Sequence, residues 1–111
     1  MVTTVNPLYT AEELERQLQD TQAIYLVTSP SFLNKAKEAS EAQGKIKKIF
    51  VIGGEDSDGC EAFSHLLEDD GSSFPNECMV DKVDVVTMPY SSGTTGQIGR
   101  ASCRERVCQY V

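Results

Sequence analysis

The strongest constraint in this chain is a strand–helix–strand pattern through its middle. Ala23-Ile24-Tyr25-Leu26-Val27-Thr28 is a short apolar run with little polar alternation, as expected of a strand covered on both faces. Ser29-Pro30 then opens a helix, with Ser29 able to cap it and Pro30 at the first helical position, where a missing N–H costs nothing. Phe32, Leu33, Ala36 and Ala39 follow at helical spacing, and Gly44 supplies the stop. Ile49-Phe50-Val51-Ile52 reads as a second buried strand, ending in Gly53-Gly54. Two strands joined by a helix of this length form a parallel crossover unit, which is right-handed almost without exception. The fold class is therefore α/β.

The flanks extend this frame. Thr10 can cap a helix over residues 11 to 20, and Glu13 can reach back to the Thr10 amide, which makes a capping box. Tyr9 and Leu14 have the spacing of a hydrophobic staple, and Leu18 continues the buried stripe. Residues 54 to 62 read as an acidic loop, and Ala62, Phe63, Leu66 and Leu67 as a short helix with its apolar residues on one face. From Asp84 strand character returns in Val85-Val86-Thr87-Met88, broken at Pro89 and followed by Tyr90-Ser91-Ser92-Gly93-Thr94-Thr95-Gly96. The expectation is a layered sheet of roughly three parallel strands with crossover helices, ending in that loop.

Charge narrows the function. The 111 residues carry 10 Lys+Arg against 17 Asp+Glu, a formal net of −7, which disfavours a nucleic-acid partner. The excess is uneven: Met1 to Gln97 holds 7 basic and 16 acidic residues, whereas Ile98 to Val111 holds Arg100, Arg104 and Arg106 with one acid, Glu105. No apolar run is long enough to span a bilayer, and the first residues lack the basic and apolar regions of a secretory signal.

A strand leading into a Gly/Ser/Thr-rich loop is where α/β folds hold phosphates, because small residues let backbone amides converge on an anion. Gly93 and Gly96 open backbone angles closed to other residues, and Ser91, Ser92, Thr94 and Thr95 add hydroxyl donors. By composition alone such a run is more often an ordinary loop. It is not a Walker loop, since no Lys follows Gly96. Asp56-Ser57-Asp58-Gly59 reads as a solvated acidic turn rather than a calcium loop, its glycine coming too early and Leu67 standing at the twelfth position. His65, the one histidine, has no Cys or His at ligand spacing and reads as structural, as do Cys60 and Cys78. Lys45, Lys47 and Lys48 read as a solvated edge.

The octapeptide Pro89-Tyr90-Ser91-Ser92-Gly93-Thr94-Thr95-Gly96 resembles the phosphate-binding signature of adenylate-forming enzymes: acyl-CoA synthetases, 4-coumarate-CoA ligases and firefly luciferase. Val5-Asn6-Pro7-Leu8-Tyr9-Thr10-Ala11-Glu12-Glu13-Leu14 is similar to a segment these ligases carry ahead of that loop, and Asp84-Val85-Val86 also resembles the family. The match runs over residues 1 to 96 and is nearest the 4-coumarate-CoA ligase-like branch. The resemblance implies an ATP-dependent acid–thiol ligase that joins a carboxylate to AMP, releases pyrophosphate, and passes the acyl group to coenzyme A with the help of Mg²⁺. ATP and a carboxylic acid are its implied partners. It further implies that Ser91, Ser92, Gly93, Thr94, Thr95 and Gly96 wrap the ATP phosphates, with Thr94 and Thr95 as the hydroxyl contacts, and that residues 5 to 14 are scaffold.

After Gly96 the chain departs from that pattern. Where the family continues x-Pro-Lys-Gly, this sequence reads Gln97-Ile98-Gly99-Arg100, and Ile98 to Val107 looks like one reading frame of a short-read sequencing adapter. Residues 1–96 are thus expected to be a partial N-terminal AMP-binding domain, and 97–111 a disordered, non-native tail. The fragment is expected to be inactive alone, its parent cytoplasmic or peroxisomal. The competing expectation is a small non-catalytic module that binds a nucleotide or phosphate, or an interaction fragment with no ligand.

Overall fold

A computed structural model describes residues 1–73, 84–91, 99–100 and 103–104. The chain divides into two units, Pro7–Phe74 and a second made of Met1–Asn6 with Pro75–Val111.

The larger unit opens with helix α1, Ala11–Thr21. Its capping box is complete: the Glu13 amide donates to Thr10 Oγ1 at 3.2 Å and the Thr10 amide donates to Glu13 Oε2 at 2.8 Å. Two of the amides that a helix start leaves without partners are thereby satisfied. Leu14 and Leu18 are buried, as their spacing requires, and Gln22 closes the helix in the left-handed region at φ 53°. Strand β1, Tyr25–Thr28, leads through a 3₁₀ turn, Pro30–Phe32, into helix α2, Leu33–Gln43. Gly44 ends α2 at φ 72°, a conformation that suits a residue without Cβ. Strand β2, Lys48–Val51, pairs parallel with β1, aligning Leu26 with Ile49 and Thr28 with Val51. The α/β class and the parallel crossover unit are as the sequence predicts.

Three expectations need correction. Ser29 makes no side-chain capping bond; Pro30 instead starts a 3₁₀ turn that satisfies the entry to α2 through backbone, the Phe32 amide donating to the Ser29 carbonyl at 3.1 Å. The third parallel strand is β3, Cys60–Ala62, which lies inside the stretch expected to be loop and pairs with β2 at Ile49↔Cys60 and Val51↔Ala62. Helix α3, Ser64–Leu67, buries none of its residues, and Leu66 and Leu67 stand exposed.

The sheet, in order β1-β2-β3, is dressed on one face. Leu26, Ile49, Val51, Cys60 and Ala62 share that face and are buried together with Leu14, Leu18, Ala36 and Ala39 of the helices. Gln43 ties helix to strand from within this core: its Nε2 donates to the carbonyls of Leu18 and Ala23, and its Oε1 accepts from the Lys45 amide at 2.8 Å. On the opposite face Phe50 of β2 is buried at 8 % exposed, whereas Tyr25 and Val27 of β1 are 55 % and 48 % exposed, contrary to the two-sided burial that the apolar run of β1 predicts. Among the described residues no helix is long and apolar enough to cross a membrane.

Among its described residues the second unit holds strand β4, Val85–Thr87, and the two-residue strands β5 (Tyr90–Ser91), β6 (Gly99–Arg100) and β7 (Cys103–Arg104). β4 pairs antiparallel with β7 and β5 with β6. The sequence predicts strand character over Val85–Met88, and β4 forms there.

Candidate functional site

The candidate loop begins where β4 ends, and the backbone there is held by the start of the chain. Val2 bridges Thr87 in parallel sense, its amide donating to the Val86 carbonyl at 2.8 Å and its carbonyl accepting from the Met88 amide at 2.9 Å. Thr3 Oγ1 donates to the Met88 carbonyl at 2.7 Å. Met88 itself is 8 % exposed, and Tyr90 Oη lies 3.9 Å from its sulfur. Val85, Val86 and Thr87 favour this extended backbone because branching at Cβ suits the pleated conformation. Pro89 has no N–H to offer a ladder and follows directly, so β4 stops and the chain turns into the loop.

Of the six residues predicted to wrap phosphates, Ser91 closes β5, its backbone aligned with Gly99 of β6. Ser92, Gly93, Thr94, Thr95 and Gly96 lie outside the described residues. The contribution of Val2 and Thr3 went unread from the sequence. Its one signal is the run Val2-Thr3-Thr4-Val5, four β-branched residues in succession.

The other sequence candidates fall into structural places. Asp56 Oδ1 accepts from the Ala62 amide at 2.7 Å, so the acidic turn pins the end of β3. His65 Nδ1 stands 3.7 Å from Asp56 Oδ1 and 3.8 Å from Glu61 Oε1, at a half-exposed position. Cys60 is a buried free thiol on the dressed face of the sheet, and Cys78 lies outside the described residues. Lys48 pairs with Glu61 across β2 and β3; that hydrogen bond, with the carboxylate's charge, holds the Lys48 ammonium above its ordinary pKa. Lys45 Nζ donates to Gln22 Oε1 at 2.6 Å. Among the described residues no group of three or more His, Cys, Asp or Glu could hold a metal.

One unit carries parallel β1 and β2 with a helical crossover, and the other a strand that breaks at a proline before a Ser/Thr/Gly-rich sequence; the fold is that of adenylate-forming enzyme domains. Two solved structures share the fold. One is the anthranilate CoA ligase AuaEII in complex with anthranoyl-AMP, with TM-score 0.74 at 24 % identity, covering 92 % of this chain and 20 % of that one. The other is the luciferase-like enzyme of the nonluminescent mealworm Zophobas morio, with TM-score 0.73 at 19 % identity over 93 % of this chain and 24 % of that one.

Residues 1–98 match the AMP-binding enzyme family, and the chain belongs to it. It is 38 % identical over 95 residues to 4-coumarate–CoA ligase 1 of Petroselinum crispum, covering 85 % of this chain and 16 % of that protein. It is 35 % identical over 96 residues to 4-coumarate–CoA ligase 5 of Oryza sativa subsp. japonica, covering 86 % and 17 %. The chain therefore spans about one sixth of the length of these relatives. The resemblance read from Pro89 to Gly96 is borne out at the level of family and branch.

Proposed function

We propose that residues 1–96 are part of the N-terminal, nucleotide-binding portion of an ATP-dependent carboxylate–CoA ligase, and that 97–111 lie outside that domain. The single observation that supports this most is the octapeptide Pro89–Gly96 placed directly after a β-branched strand in a chain of the AMP-binding family. In the reaction a carboxylate oxygen attacks the α-phosphorus of ATP, the bond to the β-phosphate breaks, and pyrophosphate leaves with its electron pair. The thiolate of coenzyme A then attacks the acyl carbonyl and AMP departs. The role assigned to Ser91–Gly96 is donation: their amides and hydroxyls can each donate to an anionic triphosphate, and the set carries no carboxylate to repel it. Donors fixed on the β- and γ-phosphates gain strength as charge builds on the leaving pyrophosphate. Mg²⁺ supplies further neutralisation when it arrives with ATP. Val2 and Thr3 hold the strand from which the loop springs.

The same reading assigns no turnover to the 111-residue chain alone, since positional catalysis needs the adenine and acyl pockets that residues 1–96 do not supply. Assayed with ATP, Mg²⁺, 4-coumarate and coenzyme A, the chain should release no pyrophosphate above background. Grafted in place of the 95 matching residues of the parsley ligase, it should support release. In that graft the pair Thr94→Ala and Thr95→Ala should lower kcat/KM for ATP by roughly 10- to 100-fold, as befits loss of hydrogen bonds to a charged group. A graft turning over ATP equally well with both hydroxyls removed would refute the assignment.

A further inference from the structure

The chain contains the dipeptide Asp-Gly twice, at Asp58-Gly59 and at Asp70-Gly71. In such a pair the side-chain carboxyl and the following amide nitrogen are a single bond away from a cyclic imide, and a second residue without Cβ leaves the approach open. In sequence the two pairs are alike. In the fold they are not.

At Asp70 both reacting groups are engaged. The Gly71 amide donates to Asp69 Oδ1 at 2.7 Å, and Asp70 Oδ1 accepts from the Ser72 amide at 2.9 Å, a bond that holds the Asp70 carboxyl below its ordinary pKa and so keeps it in the unreactive anionic form. Asp56-Ser57 is engaged in the same way, since Asp56 Oδ1 accepts from the Ala62 amide and the Ser57 amide donates to the Cys60 carbonyl. Asp58 and Gly59 instead form the exposed tip of a turn whose ends, Ser57 and Cys60, bond reciprocally through their main chains at 3.2 and 2.8 Å. Gly59 sits at φ +77° with open space where a Cβ would stand. Among the described residues no group accepts from the Gly59 amide and none donates to the Asp58 carboxylate. The Asp58 main-chain carbonyl, by contrast, is held: Lys37 Nζ of α2 donates to it at 2.8 Å. An ammonium on that oxygen draws electron density out of the Asp58–Gly59 peptide and makes the Gly59 N–H more acidic.

We propose that Asp58-Gly59 is a site of spontaneous aspartate isomerisation primed by Lys37. The Gly59 nitrogen gives its proton to solvent and attacks Cγ of the neutral Asp58 carboxyl; the N–Cγ bond forms, the Cγ–OH bond breaks, and water leaves behind a succinimide. Water then adds to the main-chain carbonyl that Lys37 polarises, the bond from that carbon to the Gly59 nitrogen breaks, and the chain runs on through the side-chain carbonyl with the α-carboxylate released to solvent. Water is lost and regained, so the mass is unchanged and no oxidant or cofactor takes part. The product carries one more main-chain carbon between Ser57 and Cys60, which loosens the anchor of β3.

The test ages the 111-residue chain at mildly acidic pH and cleaves it after glutamate, which puts the two dipeptides on separate peptides, residues 56–61 and 69–77. Isoaspartate is counted in each by methyl transfer from labelled S-adenosylmethionine with a protein isoaspartyl methyltransferase, and electron-transfer fragmentation identifies the altered residue. It should accumulate in 56–61 at least ~10-fold faster than in 69–77, the margin expected when hydrogen bonds to charged acceptors must first be broken. In concentrated urea the two rates should converge. Lys37→Met should slow the reaction in 56–61 severalfold and leave 69–77 unchanged, while Lys37→Arg, which keeps the positive donor, should retain most of the rate. Equal accumulation in the two peptides of the folded chain, alteration at Asp56 in place of Asp58, or a rate in 56–61 indifferent to Lys37→Met overturns the proposal.

Discussion

Gly53 and Gly54 follow the same strand and are glycine for different reasons. Gly54 is a close approach: a Cβ there would meet Val51 Cγ1 at 2.6 Å and Val51 Cβ at 3.3 Å, against a side chain that is 2 % exposed and stiff at χ1. Gly54→Ala should therefore cost about 1–3 kcal/mol, read as a lower urea midpoint. Gly53 has open space around it but φ of +71°, so Gly53→Ala should cost about 1–2 kcal/mol through backbone strain, with Gly53→Asn milder. Lys48 gives a pH dependence of known sign. Its pKa is raised by the hydrogen bond to Glu61, so its contribution to stability is complete below the ordinary lysine value of 10.5 and fades as pH rises through the higher folded value. Glu61→Gln should flatten that alkaline limb of a melting-temperature profile. None of these partners is visible in sequence, because Lys48 and Glu61 meet only once β2 and β3 are in register.

Elements with local signals were the most legible. Helix α1 announces itself through Thr10 and Glu13, three residues apart, and both reciprocal bonds form. Thr10→Ala should cost about 0.5–2 kcal/mol of stability by denaturant titration. Strands were less legible where their identity depends on what lies beside them. Cys60-Glu61-Ala62 is too short and too weak in strand propensity to declare itself, and becomes β3 only through its pairing with Ile49–Val51. Val85–Thr87 declared itself as a strand, but a β-branched pattern says nothing about the partner, which is β7 in antiparallel sense and Val2 in parallel. β1 shows the same limit, since an apolar run reports affinity for cover and not the presence of it. Leu26→Ala, on the dressed face, should cost about 2–5 kcal/mol, whereas Val27→Ala on the opposite face should stay within ~0.5 kcal/mol in the 111-residue chain.

At the scale of the chain, a net charge of −7 keeps copies apart at neutral pH while a half-exposed apolar face invites them together. Acidification removes the first effect and leaves the second, so light scattering should rise steeply as pH falls toward the isoelectric point near 4.6, and Val27→Lys should delay that rise. The octapeptide made the family legible in eight residues, because the resemblance lies in one contiguous motif. The clasp of Val2 and Thr3 on the strand beside it was not, because its two halves lie at opposite ends of the sequence. That separation carries a temporal consequence. The Thr3–Met88 bond closes a span of 85 residues, whereas α1, α2 and the β1–β2 pair assemble from neighbours. A polypeptide emerging from the ribosome would complete its first helices long before Met1–Thr4 could find β4, so the footing of the candidate loop is set late, and its ordering should trail helix formation in any refolding trace.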